Sequence, residues 1–361
     1  MARFLEIFED ATKKGRKIPK EEYLLEGLYP IIDQGQQYIA GFSNDATGLY
    51  TDVPAIIFGD HTRILKYVDI PFFLGADGVK LLRAKIPNAN YKYLYYALCH
   101  AHIPNTGYNR HFKWLKQISL TLPEASTQEE IVYVLDKIDD LIHLRKQQLD
   151  KLDQLVKSRF VEMFGDPTVN EKGWPIIPLE AVTTIITYSL TVRPEYQEVG
   201  IDLISAKELH KGYVDYSNAP KISAEDYNKL SDKAKPQKYD ILFSKTGSIG
   251  HCAVISENRA FAITQNAARI GLHFEKVNPL WLLHYLRMDF IQNWCKEHAK
   301  GNAVKDFQLQ DMKMIPLFDC SMELQDQFAA FVAQVDKSKL TIQQGLDKLE
   351  TLRTSLMQQY F

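Results

Sequence analysis

The sequence predicts an α+β protein with two similar globules separated by two long helices, which pair as an intramolecular antiparallel coiled coil with approximate two-fold symmetry. Three observations lead to this prediction. A long segment of the chain occurs twice, both copies carry a heptad pattern, and the regions before each copy contain similar phrases in the same order. Self-similarity on this scale indicates a duplicated architecture.

The repeated segment is the first observation. Gln128–Phe164 and Gln325–Phe361 align without a gap, and both copies end in phenylalanine. The first copy contains the phrase Leu149-Asp150-Lys151-Leu152, which the second repeats as Leu346-Asp347-Lys348-Leu349.

Each copy also carries an apolar seam with alternating steps of four and three residues, which is typical of a coiled coil. One charged residue interrupts each seam, Arg145 in the first and Lys339 in the second. A helix of about 36 residues would be about 54 Å long, and its stripe is too narrow for a core helix. We therefore expect the two helices to pair with each other; pairing of each with another chain is the alternative. The seam positions are Ile131, Leu135, Ile138, Ile142, Arg145, Leu149, Leu152 and Phe328, Val332, Val335, Lys339, Ile342, Leu346, Leu349.

The regions before the helices are rich in β-branched and aromatic runs, as expected of strands, and each contains an aromatic-rich amphipathic helix. Gly165-Asp166-Pro167 is a stop signal after the first long helix. The predicted order is a first globule, a central spacer helix, a second globule and a C-terminal spacer helix, with bounds 1–122, 123–165, 166–318 and 319–361.

Composition limits the possible functions. The net charge is −2, and the surplus of acidic residues lies in the helical segments, which favours contacts of the helices with protein. The four cysteines form no C-x-x-C pair, so neither a zinc site nor a disulfide framework is indicated. No apolar run reaches the ~18 residues of a membrane span, and we expect a cytoplasmic protein.

The predicted geometry suits a long polymer with two recognition elements at a fixed spacing, and duplex DNA is such a polymer. If one rigid body binds both elements, the second contact is intramolecular and affinity rises without a strongly basic globule.

Several phrases, in order, resemble the DNA-specificity (S) subunit of type I restriction-modification systems. They are the two duplicated helix phrases, Arg159-Phe160-Val161-Glu162-Met163-Phe164-Gly165-Asp166-Pro167, and Asp240-Ile241-Leu242-Phe243-Ser244-Lys245-Thr246-Gly247-Ser248-Ile249-Gly250. The resemblance covers essentially the whole chain. It implies that each globule is a target-recognition domain for one half of a bipartite DNA sequence, and that the helices set the gap and dock methyltransferase (modification) subunits.

The resemblance further implies that this chain is a non-catalytic subunit and binds no cofactor itself. S-adenosylmethionine, ATP and Mg²⁺ are expected on partner subunits, which would be two methyltransferase subunits and, through the complex, restriction/translocase subunits. The complex would methylate adenine and cleave DNA. A non-DNA coiled-coil scaffold and the recognition arm of a single-chain restriction-methylation enzyme are the alternatives.

In the second globule, a predicted strand runs into a loop with two glycines, a lysine and hydroxyl side chains. Glycines allow close approach of the backbone to a ligand, and lysine and hydroxyls bind phosphate or base edges. An ordinary glycine hairpin is the alternative. The candidate DNA contacts here, with a neighbouring amide pair and a later loop, are Ser244, Lys245, Thr246, Ser248, Gln265, Asn266, Asn302 and Lys305.

The first globule has corresponding loops. Arginine binds guanine bidentately, amides bind adenine, and a basic run attracts phosphate; solvated surface loops are the alternative. The candidates here are Lys13, Lys14, Gln36, His61, Thr62, Arg63, Asn109, Arg110, His111 and Lys113.

Apolar side chains of the two helices are the candidate partner contacts, alongside their internal seam. They are Ile131, Leu135, Leu149, Leu152, Phe328, Leu346 and Leu349. The chain has no glycine-rich cofactor loop, no G-x-x-x-x-G-K-[ST] motif and no nucleophilic set, so neither catalysis nor a metal site is predicted.

Overall fold

The computed structural model describes residues 1–75, 78–107, 109–188, 194–209, 212–302 and 304–361. The chain forms two compact units. Unit 1 consists of Met1–Gln147 and Gln343–Phe361, and unit 2 consists of Gln148–Ile342. Each long helix is therefore divided between the units, whereas the sequence-based boundaries treat the spacer helices as separate segments.

The described residues of unit 1 form short strands and, besides two 3₁₀ turns, three short α-helices before the first long helix. In chain order they are β1 (Ala2–Arg3), α1 (Phe4–Ile7), β2 (Phe8–Asp10), β3 (Tyr29–Ile32), β4 (Gly41–Ser43), β5 (Ala55–Gly59), β6 (Leu65–Val68), β7 (Phe73–Leu74), β8 (Val79–Ala84), α2 (Tyr91–His100), α3 (Phe112–Leu115), β9 (Ser119–Leu120) and the long helix α4 (Ala125–Phe164).

Unit 2 contains corresponding elements and two further helices, Ala224–Lys229 and Asp289–His298, that have no counterpart among the described elements of unit 1. They are β10 (Ile176–Pro178), β11 (Thr183–Thr187), β12 (Ile201–Ile204), β13 (Lys221–Ile222), α5 (Ala224–Lys229), β14 (Ile241–Ser244), β15 (Cys252–Val254), β16 (Phe261–Ile263), β17 (Ala267–Leu272), α6 (Pro279–Leu286), α7 (Asp289–His298), α8 (Leu309–Lys313), β18 (Pro316–Phe318) and the long helix α9 (Met322–Tyr360).

The sheets have the same topology in the two units. An antiparallel sheet has the order β2-β8-β5-β6 in unit 1 and β11-β17-β14-β15 in unit 2. A second sheet, β4-β3-β7 or β13-β12-β16, contains one parallel pair, and β1 pairs with β9 as β10 pairs with β18. This equivalence confirms the prediction of two similar α+β globules.

The helices α2 and α6 begin with the same kind of cap. Asn90 and Asn278 are their N-caps, and each side chain accepts a hydrogen bond from the first turn of α2 or α6. Such caps satisfy amides that otherwise lack a partner in the helix. The two asparagines also fix the alignment of α2 with α6.

The two long helices complete the core of each unit. In unit 1, Ile131 and Leu135 of α4 and Met357 of α9 are buried in the globule's core. In unit 2, Phe160 of α4 and Phe328 of α9 have this role, with ring centroids 5.3 Å apart. The same repeated sequence therefore supplies core residues to both units.

The helix segments run antiparallel within each unit. In unit 1, Asp139 pairs with Arg353 and Lys146 pairs with Glu350, so that position rises along α4 as it falls along α9. In unit 2, the seam lysine Lys339 reaches Asp153 at 2.6 Å. Among the predicted seam positions, every side chain is buried or half-buried.

Candidate nucleic-acid interface

In unit 2, the candidate loop joins β14 to β15 and is held by its own hydrogen bonds. The Ser244 hydroxyl accepts a hydrogen bond from the His251 amide at 2.9 Å and donates to the carbonyl of Ser248. Gly250 has φ +101°, and a Cβ there would lie 2.0 Å from Oε1 of Gln292. Only glycine fits this position, and the buried Ser244 has a structural role instead of the predicted DNA contact.

Lys245 also has a structural role instead of the predicted contact with DNA. Its side chain is 9% exposed, and Nζ lies 2.7 Å from Oδ1 of Asp306. Thr246 donates to the same carboxylate. Burial raises the pKa of Asp306, but the hydrogen bonds from Lys245 and Thr246 outweigh it, so the pKa is below its usual range. An ammonium engaged in this way anchors the loop and is not available to phosphate.

The other unit 2 candidates lie on neighbouring loops. The Lys245 amide donates to the carbonyl of Asn266 at 2.9 Å, and the Gly247 amide donates to the carbonyl of Lys305 at 3.1 Å. Thr246 is half-buried, whereas the remaining candidates of this unit are exposed: Ser248, Gln265, Asn266, Asn302 and Lys305.

In unit 1, the corresponding loop joins β5 to β6 and is a tight turn. The Arg63 amide donates to the carbonyl of Gly59, and Arg63 has φ 62°. Its guanidinium donates to the carbonyl of Ile103 at 3.2 Å, so the side chain is half-buried and partly engaged. The amide of His61 and the hydroxyl of Thr62 both bond to Gln34.

His111 was predicted to contact DNA, but its side chain is fully buried. Its amide and its Nδ1 both lie within 3.0 Å of the Asp60 carbonyl oxygen, while Oδ1 of Asp60 accepts a hydrogen bond from the Phe112 amide at 2.7 Å. His111 therefore joins two segments of the unit and does not reach a ligand.

Most other candidates of unit 1 are exposed. Lys14 forms an ion pair with Glu9 at 2.9 Å, and Asn109 donates to the carbonyl of Thr106. His61 is half-buried, and the exposed set is Lys13, Lys14, Gln36, Thr62, Asn109, Arg110 and Lys113. Tyr108 and Ala303, which adjoin the candidates Asn109 and Asn302, are outside the described residues.

The structure adds basic residues that the sequence did not single out. Nζ of Lys80 and Nζ of Lys116 lie 5.0 Å and 4.7 Å from the centroid of the Phe112 ring. In unit 2, Lys296 of α7 lines a cleft with Ser248 and Lys305. No local motif marks these three lysines, because they come from separate elements.

In both units, three segments meet at the end of one strand, β5 in unit 1 and β14 in unit 2; we call this place the strand-end site. The residue after the strand, Asp60 or Lys245, donates its amide to the loop before β8 or β17, with Gly78 and Asn266 as acceptors. The carbonyl of that residue accepts an amide from the later segment. Within each unit, the three segments therefore lie together at one strand end.

The predicted partner contacts are mostly internal. Ile131, Leu135, Phe328 and Leu346 are buried, and Leu149, Leu152 and Leu349 are half-buried. A partner cannot reach the four buried side chains, so their assignment to a partner surface is wrong. The exposed leucines of the long helices lie outside the seam: Leu141, Leu144, Leu155, Leu340 and Leu352.

Two further features of the described residues concern metal and membrane binding. No group of three or more His, Cys, Asp or Glu side chains there is placed to hold a metal ion. Within the same part of the chain, every helix is too short or too polar to cross a membrane.

Comparison with known proteins gives consistent results. A family profile described as "Type I restriction modification DNA specificity domain" matches residues 3–154 and 194–351. The EcoBI specificity subunit of Escherichia coli is 24% identical over 278 residues, which are 68% of this chain and 58% of that subunit. The EcoR124I/EcoR124II specificity subunit of Escherichia coli is 28% identical over 148 residues, 35% of this chain and 37% of that protein.

A solved structure has a similar fold. The type I restriction-modification S subunit from M. genitalium superposes with a TM-score of 0.60 and 15% identity. The match covers 99% of this chain and 95% of that one.

Proposed function

Because the chain belongs to the type I restriction modification DNA specificity domain family, we propose that it is the DNA-reading subunit of such a system. Units 1 and 2 each read one half of a bipartite target, and the long helices set the number of bases between the halves. The alignment spans 58% of the EcoBI subunit, so the activity and partners of the whole protein are part of this proposal.

The duplicated strand-end site carries the proposal. Two units with one topology present the same three loops, with different side chains on them. A shared frame with different polar side chains is what two modules need when they read different base pairs, since base edges are distinguished by the pattern of donors and acceptors.

The chain itself would be non-catalytic. The strand-end side chains of the described residues are lysines, arginines, histidines, amides, hydroxyls and engaged carboxylates, a set that suits binding. Methyltransferase subunits, two per complex, would supply S-adenosylmethionine chemistry, and restriction/translocase subunits would use ATP and Mg²⁺.

The experiment that tests the function maps methylated adenines in cells with and without the gene. We expect a motif of two short specified parts with a fixed unspecified gap, present only when the gene is present. Methylation that is independent of the gene, or a motif without a gap, would contradict the proposal. Absence of any DNA preference in the purified chain would favour the coiled-coil scaffold.

The docking surface can be tested on a repeat-related pair of exposed leucines. Leu155 and Leu352 occupy the same position in the two copies, and each is 47% exposed. Leu155→Asp and Leu352→Asp should weaken capture of the modification subunit with little change in stability, because neither side chain is buried. Leu346→Asp is a poor test, since Leu346 is buried and the change would damage the coil.

A further inference from the structure

A cleft in unit 2 has a lining that is more basic than the rest of the strand-end site. It has a volume of about 590 Å³ and lies between the loop after β14, the later segment and α7. Its walls include Ser248, Lys296 and Lys305, and no aspartate or glutamate of the described residues is among the lining residues.

The two lysines are close to each other although they belong to different elements. Nζ of Lys305 lies 3.5 Å from the carbonyl oxygen of Lys296, near the end of α7. An ammonium has three donors, so this contact leaves Lys305 two for a ligand. Both residues are exposed, as is Ser248.

The loop after β14 is fastened to α7, the helix that carries Lys296. Gln292 of α7 donates to the carbonyls of Gly250 and Leu286 at 3.0 and 2.6 Å, which seats the glycine loop on the helix. Gly247 has φ +78° and nothing within 4 Å of an added Cβ, so the loop is open on this side. A backbone without side chains allows a close approach of a ligand.

We propose that Lys296, Lys305 and Ser248 bind backbone phosphates of the DNA duplex next to the half-site read by unit 2. This inference rests on the proposed function and adds a sequence-independent contact to it. Lysine binds phosphate as a point charge, and serine adds a hydrogen bond without reading a base. Lys245 cannot supply this charge, because Asp306 already neutralises it.

The test measures binding of the full chain to two duplexes, one with the mapped target and one scrambled, from 50 to 200 mM salt. Each phosphate contact contributes about 0.9 to the slope of log affinity against log salt. The variant Lys296→Met/Lys305→Met should therefore lower the slope by about 2 and weaken binding to both duplexes by a similar factor. Thermal unfolding verifies that the variant is folded.

Matched variants serve as controls. Lys238→Met removes a charge three residues before β14, at the opposite end of that strand from the cleft. This variant should leave the slope unchanged. Lys296→Arg/Lys305→Arg keeps the charge and should retain the wild-type slope.

Three results would overturn the inference. They are an unchanged slope in the methionine variant, a loss confined to the target duplex, and saturable binding of inorganic phosphate alone at the cleft, which would assign it to a free anion. If the wild-type chain binds neither duplex, the proposed function fails as well. If the wild-type chain binds DNA and only the slope prediction fails, the phosphate contact in the cleft is wrong and the proposed function stands.

Discussion

Units 1 and 2 close the same strand end with opposite charges. Unit 1 places the buried carboxylate of Asp60 there, and this carboxylate accepts the amide of Phe112. Unit 2 places the ammonium of Lys245 there and brings the carboxylate from Asp306, in the later segment. What the fold requires is a satisfied polar group at this position, and either sign of charge meets that requirement.

This difference separates a backbone frame that both units share from side chains in which the units differ. The backbone bonds that gather the loops are the same in both units, whereas the side chains that they present differ at almost every position. We therefore expect changes in the frame to destabilise one unit, and changes on the exposed loops to alter binding with little effect on stability.

The largest effect should come from the core of the long helices, where position 160 corresponds to position 357 in the repeat. Phe160 packs against Phe164, Trp281, Tyr285 and Phe328. Phe160→Ala should cost about 4 kcal/mol of unfolding free energy, and Met357→Ala about 2.5. Urea unfolding with separate probes for each unit checks this order; equal losses would show that the two cores are equally packed.

The strand-end anchors come next. Lys245→Met should cost about 2–3 kcal/mol, less than for a fully buried ion pair because Asp306 is 31% exposed. The matched change in unit 1, Asp60→Ala, should cost about 1–2 kcal/mol by leaving the Phe112 amide without its partner. Adding Asp306→Asn to Lys245→Met should recover part of the loss. If the loss of unfolding free energy in the double variant equals the sum of the losses in the two single variants, Lys245 and Asp306 are not coupled.

Between pH 7 and pH 5, acid sensitivity should be greater in unit 2. His284 occupies the position that Tyr96 has in unit 1, six residues after the capping asparagine. Burial, aided by Arg287 and Lys339, lowers the pKa of His284 to about 3, against 6.5. The unfolded chain therefore binds the proton first as pH falls, and stability present above pH 6.5 is lost towards pH 3.

The measurement is the difference in unfolding free energy between pH 7 and pH 5 for wild type and His284→Leu. The variant should lack about 2 kcal/mol of the wild-type decrease. Tyr96→Phe in unit 1 is the control and should leave the decrease unchanged. An identical pH response in all three proteins would mean that His284 is not the group responsible.

The smallest effects should come from the ion pairs between helix segments. Lys339→Met, which breaks the pair with Asp153, should cost about 0.5 kcal/mol, since Asp153 is 65% exposed. Arg353→Met should cost about 1 kcal/mol, because Asp139 is less exposed and also accepts a hydrogen bond from Tyr96. Raising the salt concentration should reduce both values; a larger loss for Lys339→Met would reverse the comparison.

The long helices and the caps of α2 and α6 could be predicted from the sequence because their signals are local. Heptad spacing and an asparagine before an apolar run are visible within a few residues. The parallel pairs β3–β7 and β12–β16 are not visible in this way, since their partners are far apart in the chain and the strands are short.

The candidate site was predictable only in part, for a physical reason. The loop after β14 could be recognised by its glycines, but the role of Lys245 depends on Asp306, 61 residues later. The heptad pattern marks a regularly spaced apolar seam, and the structure buries several of its side chains, among them Leu135 and Phe328, in the cores of the two units. It therefore could not also provide the partner surface, for which the exposed leucines outside the seam are the better candidates.

The division of each long helix between two cores has a consequence for synthesis on the ribosome. Met357 belongs to the core of unit 1 and the Phe361 ring lies 5.4 Å from that of Tyr93, so unit 1 lacks part of its interior until the residues after Ile342 emerge. Unit 2 is made from one uninterrupted stretch and can finish first. The globule translated earlier is thus the one completed later, and nascent chains should expose its apolar surface to chaperones during the delay.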